Sequence, residues 1–122
     1  MLGWWIVVYA ATPDERDQAR SKEAVLAQWE IGLGGTAWLD ELVAAGHAVQ
    51  ETKDGYPSRY IAKALLVFPL IENGPPRHSG PAVVGDDYVL PPNWKGSFQL
   101  HEDRVAQCAP DQILTIDAWD QS

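Results

Sequence analysis

Residues with side chains suited to metal binding are few in this sequence, and their spacing is unfavourable. His101-Glu102-Asp103 places a histidine beside two carboxylates, which is part of the ligand set of a two-histidine, one-carboxylate iron site. Such a site needs a second histidine, and His47 and His78 both lie upstream in unrelated contexts. We therefore predict no metal site.

Groups for nucleophilic or acid–base catalysis are also hard to assign. Cys108, the only cysteine, could act as a nucleophile with a histidine as its base, but a lone cysteine without a local signature is usually an inert buried thiol. Asp86 with Asp87, and Asp117 with Asp120, have the residue type of paired catalytic carboxylates. Adjacent aspartates in a turn that contains glycine are more often solvated turn residues. No catalytic residue is therefore assigned, and the sequence does not decide whether the protein is an enzyme.

Residues 32–35, Gly-Leu-Gly-Gly, have the composition of a phosphate-binding loop. A P-loop requires a lysine directly after its last glycine, and the next lysine in this chain is Lys53. A dinucleotide-binding loop follows a strand, whereas the pattern before these glycines indicates a helix. We therefore interpret the glycines as a corner between two helices and predict no cofactor.

The chain is strongly acidic, with 17 acidic against 9 basic residues and a net charge of −8. Such a surface repels phosphate backbones, so we expect no binding to nucleic acid. The single cysteine excludes an internal disulfide framework and favours a reducing compartment. The apolar run near the N-terminus is too short for a membrane span and lacks the basic start of a signal peptide. We therefore expect a cytoplasmic protein that does not bind membranes.

Residues 2–11 contain the strongest strand signal, because β-branched and aromatic residues follow one another up to a turn. Successive side chains on a strand point to opposite faces. One face would carry Trp4, Ile6 and Val8, and the other Trp5, Val7 and Tyr9. Both faces are apolar, which predicts a central strand of a sheet that is covered on both sides.

Two helices are predicted to follow this strand. Thr12 and Glu15 form a capping box that starts the first helix, which we expect over residues 13–31. The second helix is expected over residues 36–45. It ends at Gly46, because glycine favours the left-handed conformation found at helix C-termini.

The rest of the chain contains shorter elements separated by turns. The apolar run at residues 60–71 fits a strand or a helix, and we favour a strand because a hairpin turn at Asp54-Gly55 precedes it. A loop is expected at 72–81, followed by a short strand or hairpin at 82–90, a strand at 97–100, a helical turn at 101–109 and a strand at 112–119. The predicted fold class is α+β. It is a single compact domain over residues 1–122, with a mostly antiparallel sheet and two N-terminal helices packed on one face.

One segment has the composition of a binding surface. Tyr56, Arg59 and Tyr60 form the only cluster in which aromatic and basic residues alternate near a turn. Tyrosine, arginine and tryptophan are enriched among the residues that dominate binding energy. We therefore predict a surface for a ligand or partner formed by Tyr56, Arg59, Tyr60 and Trp5.

The sequence shows no convergent set of nucleophile, base and metal ligands, which favours a non-enzymatic interaction protein of accessory or inhibitor type that acts through a surface patch. The alternative is a small-molecule-binding protein or a small enzyme, whose pocket would lie between the sheet and residues 72–81. Because two helices cover only one face of the sheet, we also predict a homodimer or another protein partner that covers the second face.

Overall fold

The computed structural model describes residues 3–10, 25–32, 35–52, 58–72, 74, 76, 83–84, 89–90 and 95–120. Within them the strands are β1 (Trp4–Tyr9), β2 (Val25–Ile31), β3 (Ala48–Thr52), β4 (Ser58–Lys63), β5 (Val83–Val84), β6 (Val89–Leu90), β7 (Lys95–Leu100) and β8 (Ile113–Asp120). The helices are α1 (Ala37–Ala44), α2 (Ala64–Ile71) and α3 (Glu102–Ala106).

Among the described residues, the main sheet contains six strands in the order β3-β4-β8-β1-β2-β7, and β5 pairs with β6 separately. Every neighbouring pair is antiparallel. The strand β1 lies inside the sheet between β2 and β8, as its two apolar faces predict. The strand β8 lies between β1 and β4 and joins the β3–β4 hairpin to the rest of the sheet. The α+β class and the antiparallel sheet are therefore confirmed.

The first predicted helix is wrong at its C-terminal end, where the structure has strand β2. Buried residues in this strand alternate with more exposed ones: Ala27, Trp29 and Ile31 against Gln28 and Glu30. This spacing also fits the apolar stripe of a helix. The segment forms a strand because it pairs with both β1 and β7. Residues 11–24, over which the rest of that helix was expected, lie outside the described residues.

The second predicted helix is confirmed as α1, and Gly46 ends it. Gly46 has a φ of 76°. Its amide donates to the carbonyl of Val43 at 3.0 Å, and the amide of His47 donates to the carbonyl of Leu42 at 2.8 Å. This pair of bonds is a Schellman motif, which satisfies carbonyl groups that the helix end leaves without intrahelical partners.

The prediction of a strand over residues 60–71 holds only as far as Lys63, because α2 begins at Ala64. The amides of Ala64 and Leu65 donate to the carbonyls of Gln112 and Pro110 at 2.9 and 3.0 Å. These bonds satisfy two of the N–H groups that a helix start leaves without partners. The helix therefore depends on contacts with the segment just before β8, which lies far from residues 60–71 in the sequence.

The other short elements were predicted correctly. The pair β5–β6 lies within 82–90, β7 includes 97–100, α3 lies within 101–109, and β8 corresponds to the strand expected at 112–119. The strands β3 and β4 pair as the predicted hairpin, and residues 53–57, which include its expected turn, lie outside the described residues.

The described helices contribute to one hydrophobic core. Trp38 of α1 and Val67 of α2 are buried in the same cluster as Ile6 of β1 and Trp29 of β2, and the half-buried Val105 of α3 packs against it. Among the described residues, the helices lie between Ala37 and Ala106 and do not form the predicted pair of N-terminal helices. None of the helices in the described ranges is both long enough and apolar enough to cross a membrane.

Candidate functional site

The strand β1 divides the side chains of the sheet between two faces. Ile6 and Val8 are buried in the core beneath the helices, on what we call the helix face. Trp5, Val7 and Tyr9 point to the opposite side, which we call the far face. The candidate site lies on the far face.

Strand register arranges the far face in rows, because paired residues of neighbouring strands lie side by side on the same face. The first row is Trp119, Trp5 and Glu30. The second row is Arg59, Asp117, Val7, Gln28 and Gln99. The third row is Val49, Ile61, Thr115 and Tyr9.

An aromatic pair occupies the first row. The ring centroids of Trp5 and Trp119 lie 6.4 Å apart, and their planes are inclined by 31°. This separation is within the range of favourable aromatic contacts. Trp5 remains 38% exposed, and on its other side it pairs with Glu30 of β2. A large exposed aromatic side chain is therefore held between Trp119 and Glu30.

A buried ion pair in the second row joins β4 to β8. Nε of Arg59 donates to Oδ1 of Asp117 at 2.8 Å, and Nη2 of Arg59 donates to Oδ2 at 3.3 Å. The side chain of Asp117 is fully buried, and that of Arg59 is 14% exposed. A buried carboxylate needs such a partner because an unpaired charge is costly to remove from water. The pair therefore fixes β4 against β8, and the charges of the two side chains compensate each other.

Amide side chains continue the second row on the other side of β1. Nε2 of Gln28 donates to Oε1 of Gln99 at 2.8 Å, and this exposed hydrogen bond joins β2 to β7. Both amides are thereby held at the surface beside the first row.

The middle of the far face is buried within the chain itself. Val7, Asp117 and Thr115 are all buried in the single chain. The middle of this face therefore needs no partner to cover it, and the predicted homodimer or protein partner stays a prediction. Among the described residues of the far face, the large hydrophobic side chains that stay exposed are Trp5 on β1 and Val49 on β3.

The structure brings together two of the four residues predicted to form a binding surface. Trp5 and Arg59 share the far face, with β8 between their strands. Tyr60 is on the helix face and only 3% exposed, and its hydroxyl accepts a hydrogen bond from Nε2 of Gln50 at 3.3 Å. The prediction of an exposed Tyr60 is therefore wrong, since neighbours on a strand point to opposite faces. Tyr56 lies outside the described residues.

Asp117 and Asp120, which were considered for catalysis, do not form a pair. Asp117 pairs in register with Val7 on the far face, whereas Asp120 pairs with Trp4 on the helix face. Asp86 and Asp87 lie outside the described residues.

The thiol of Cys108 has the character of a structural side chain. It is half-buried, and its Sγ donates to the carbonyl of Arg104 at 3.5 Å. Burial raises the pKa of this thiol, so the reactive thiolate is disfavoured. In the part of the chain that the structure describes, no three His, Cys, Asp or Glu side chains are grouped so that they could hold a metal ion.

Sequence reasoning missed Glu30, Gln28, Gln99 and Trp119 as site residues. The first two were assigned to a helix, which hid their position beside Trp5. A period-two pattern in residues 25–31 was the signal that could have identified them. The alternative pocket near residues 72–81 stays a prediction, since only Glu72, Gly74 and Pro76 of that segment are described.

A comparison of the chain with protein-family models, curated proteins and solved structures finds no match.

Proposed function

We propose that this protein is a non-enzymatic interaction protein, of accessory or inhibitor type, that binds a partner protein through a tryptophan patch on the far face. The tryptophan patch consists of Trp5, Trp119, Glu30, Gln28 and Gln99. The observation that supports the proposal is the 38% exposure of Trp5 on a strand that is paired on both sides.

Trp5 has the properties of a residue that dominates binding energy. Tryptophan is enriched among such residues because one side chain covers a large apolar area. The backbone of Trp5 is fixed by hydrogen bonding to two neighbouring strands, and its ring contacts Trp119. A side chain ordered in this way before binding loses little conformational entropy when a partner docks.

The residues around Trp5 supply a polar rim. Gln28 and Gln99 are hydrogen-bonded to each other on one side, and Glu30 is the register partner of Trp5 on β2. Protein interfaces combine an apolar, often aromatic centre with such a polar rim. The composition of the patch therefore suits protein recognition.

The chemistry near the patch favours binding over catalysis. The carboxylate of Asp117 is buried and accepts two hydrogen bonds from Arg59, so a substrate at the surface cannot use it as a general base. We also propose that the protein acts in the cytoplasm, because a free thiol such as Cys108 persists in a reducing compartment.

The test is a selection of peptides from a random display library on the purified protein. Dissociation constants of the enriched peptides are then measured by calorimetry for the wild type, Trp5→Ala and Val49→Ala. Val49 is 64% exposed on the same face and serves as the matched control. We expect Trp5→Ala to weaken binding about tenfold or more, as for other central aromatic anchors, and Val49→Ala to change it less than about twofold. A selection without any peptide that depends on Trp5 overturns the proposal.

A further inference from the structure

We infer that the segment of the partner that docks on the tryptophan patch is basic and places an arginine or lysine side chain against Trp5. This inference rests on the proposed function and specifies the chemistry of the partner. The position of Glu30 beside Trp5 and the charge of the whole chain carry it.

Glu30 and Trp5 are directly paired between β2 and β1. Cβ atoms of such a pair lie about 5 Å apart, so the carboxylate and the indole ring are close neighbours. A cation within about 6 Å of the centre of a tryptophan ring is attracted by the electrons of its face. One guanidinium or ammonium group can therefore contact the ring of Trp5 and the carboxylate of Glu30 together.

The other register partner of Glu30 carries no charge. Across β7, Glu30 pairs with Gly96, which has no side chain. The two residues paired with Glu30, Trp5 and Gly96, provide no positive charge to it. A basic side chain of the partner therefore meets no competing cation on either register partner of Glu30.

The charge of the chain favours a basic partner over a second copy. With 17 acidic and 9 basic residues, the chain carries a net charge of −8 and attracts positively charged segments from a distance. Two copies that met through this patch would bring two such chains, and their Glu30 side chains, close together. Like charges across an interface are unfavourable, so a homodimer through the tryptophan patch is disfavoured.

The experiment uses two synthetic probes, an acetylated tetra-arginine amide and its tetra-citrulline counterpart. Citrulline has nearly the same shape as arginine and lacks its charge. Each probe is titrated into the ¹⁵N-labelled full chain, and the indole N–H signals of Trp5 and Trp119 are followed by NMR. We expect the arginine peptide to shift both signals and to bind about tenfold or more tightly than the citrulline peptide, because charge and cation–π contacts act together.

Matched variants locate the contact. Glu30→Gln should weaken binding of the arginine peptide by about two- to fivefold, which is the size of one exposed ionic contact. Glu102→Gln removes an equal charge from exposed helix α3 and should change binding less than about 1.5-fold, because nonspecific attraction depends only weakly on one distant charge.

Each contrary result has a separate meaning. Equal binding of the two peptides at Trp5 overturns the basic partner and leaves the proposed function standing. Equal effects of Glu30→Gln and Glu102→Gln also overturn the basic partner, as do NMR shifts confined to residues outside the patch. The display selection tests the proposed function independently. Signals of Trp5 that shift with protein concentration before any peptide is added identify a second copy as the occupant and overturn the inference.

Discussion

Arg59 and Asp117 are 58 positions apart in the sequence, yet they form two hydrogen bonds, of 2.8 and 3.3 Å, across neighbouring strands of the far face. The carboxylate is fully buried, so its charge is compensated within the fold. Removing one member of such a pair is more damaging than removing both, because the remaining charge stays buried without its partner.

We therefore predict that Asp117→Ala lowers the free energy of unfolding by about 3–5 kcal/mol, the usual cost of breaking a buried pair. The double variant Arg59→Met/Asp117→Leu should lose less stability than Asp117→Ala, since it leaves no buried charge. Urea denaturation of the single variant and of the double variant measures both free energies of unfolding. If Asp117→Ala lowered the free energy of unfolding by less than about 1 kcal/mol, the cost typical of an exposed ion pair, the structural role of this pair would be contradicted.

The tryptophans of the two faces should respond differently to truncation. Trp29 is fully buried in the core, so Trp29→Ala should cost about 3–5 kcal/mol through lost burial and a cavity. Trp5→Ala should cost only about 1–2 kcal/mol, because part of its side chain already faces water. Thermal unfolding followed by circular dichroism compares the two variants. If Trp5→Ala lost as much stability as Trp29→Ala, the main role of Trp5 would be packing within the fold and not binding.

Gly46 should be required for its backbone conformation. A Cβ added there meets no other atom within 4 Å, so crowding does not oppose a substitution. The φ of 76° is strained for other residues, and Gly46→Ala should therefore cost about 1–2 kcal/mol. Gly46→Asn should cost less, because asparagine tolerates the left-handed region. Chemical denaturation gives both values, and an alanine variant as stable as the wild type would refute this explanation.

Cys108 should react slowly with alkylating reagents in the folded protein. Burial raises the pKa of its thiol, so at a given pH a smaller fraction is thiolate than in a free cysteine. The rate of iodoacetamide modification, followed by mass spectrometry, should rise with pH to a midpoint above that of the urea-unfolded chain. If the folded protein titrates at or below that midpoint, the thiol is activated and a catalytic role has to be considered again.

The sequence was sufficient for elements whose signal is local. The apolar residues of β1, the glycine at the end of α1 and the alternation in β8 each specify one structure. Residues 25–31 fit a helical stripe and a strand equally, and only pairing with β1 and β7 decides between them. Residues 60–71 change from strand to helix where Gln112 and Pro110 accept hydrogen bonds from the first helical amides.

The candidate site was predictable only in part for the same reason. Trp5 and Arg59 were identified by residue type. The partners of Trp5 depend on the register of β1 with β2 and β8, which no local pattern encodes. The misplacement of Tyr60 was avoidable, because a strand that points Arg59 to one face must point Tyr60 to the other.

The position of β8 has a consequence for how the protein folds while it is being synthesised. In the described sheet, the β3–β4 hairpin is joined to β1, β2 and β7 only through β8. The ribosome releases all of those strands before β8, so the two halves emerge without the strand that connects them. Until then, β1 and β4 each expose an edge of unpaired backbone groups that can pair with other chains. The nascent chain is therefore most prone to aggregation before residue 120 is released. In that interval the β3–β4 hairpin and the strands β1, β2 and β7 are present but cannot yet join into one sheet.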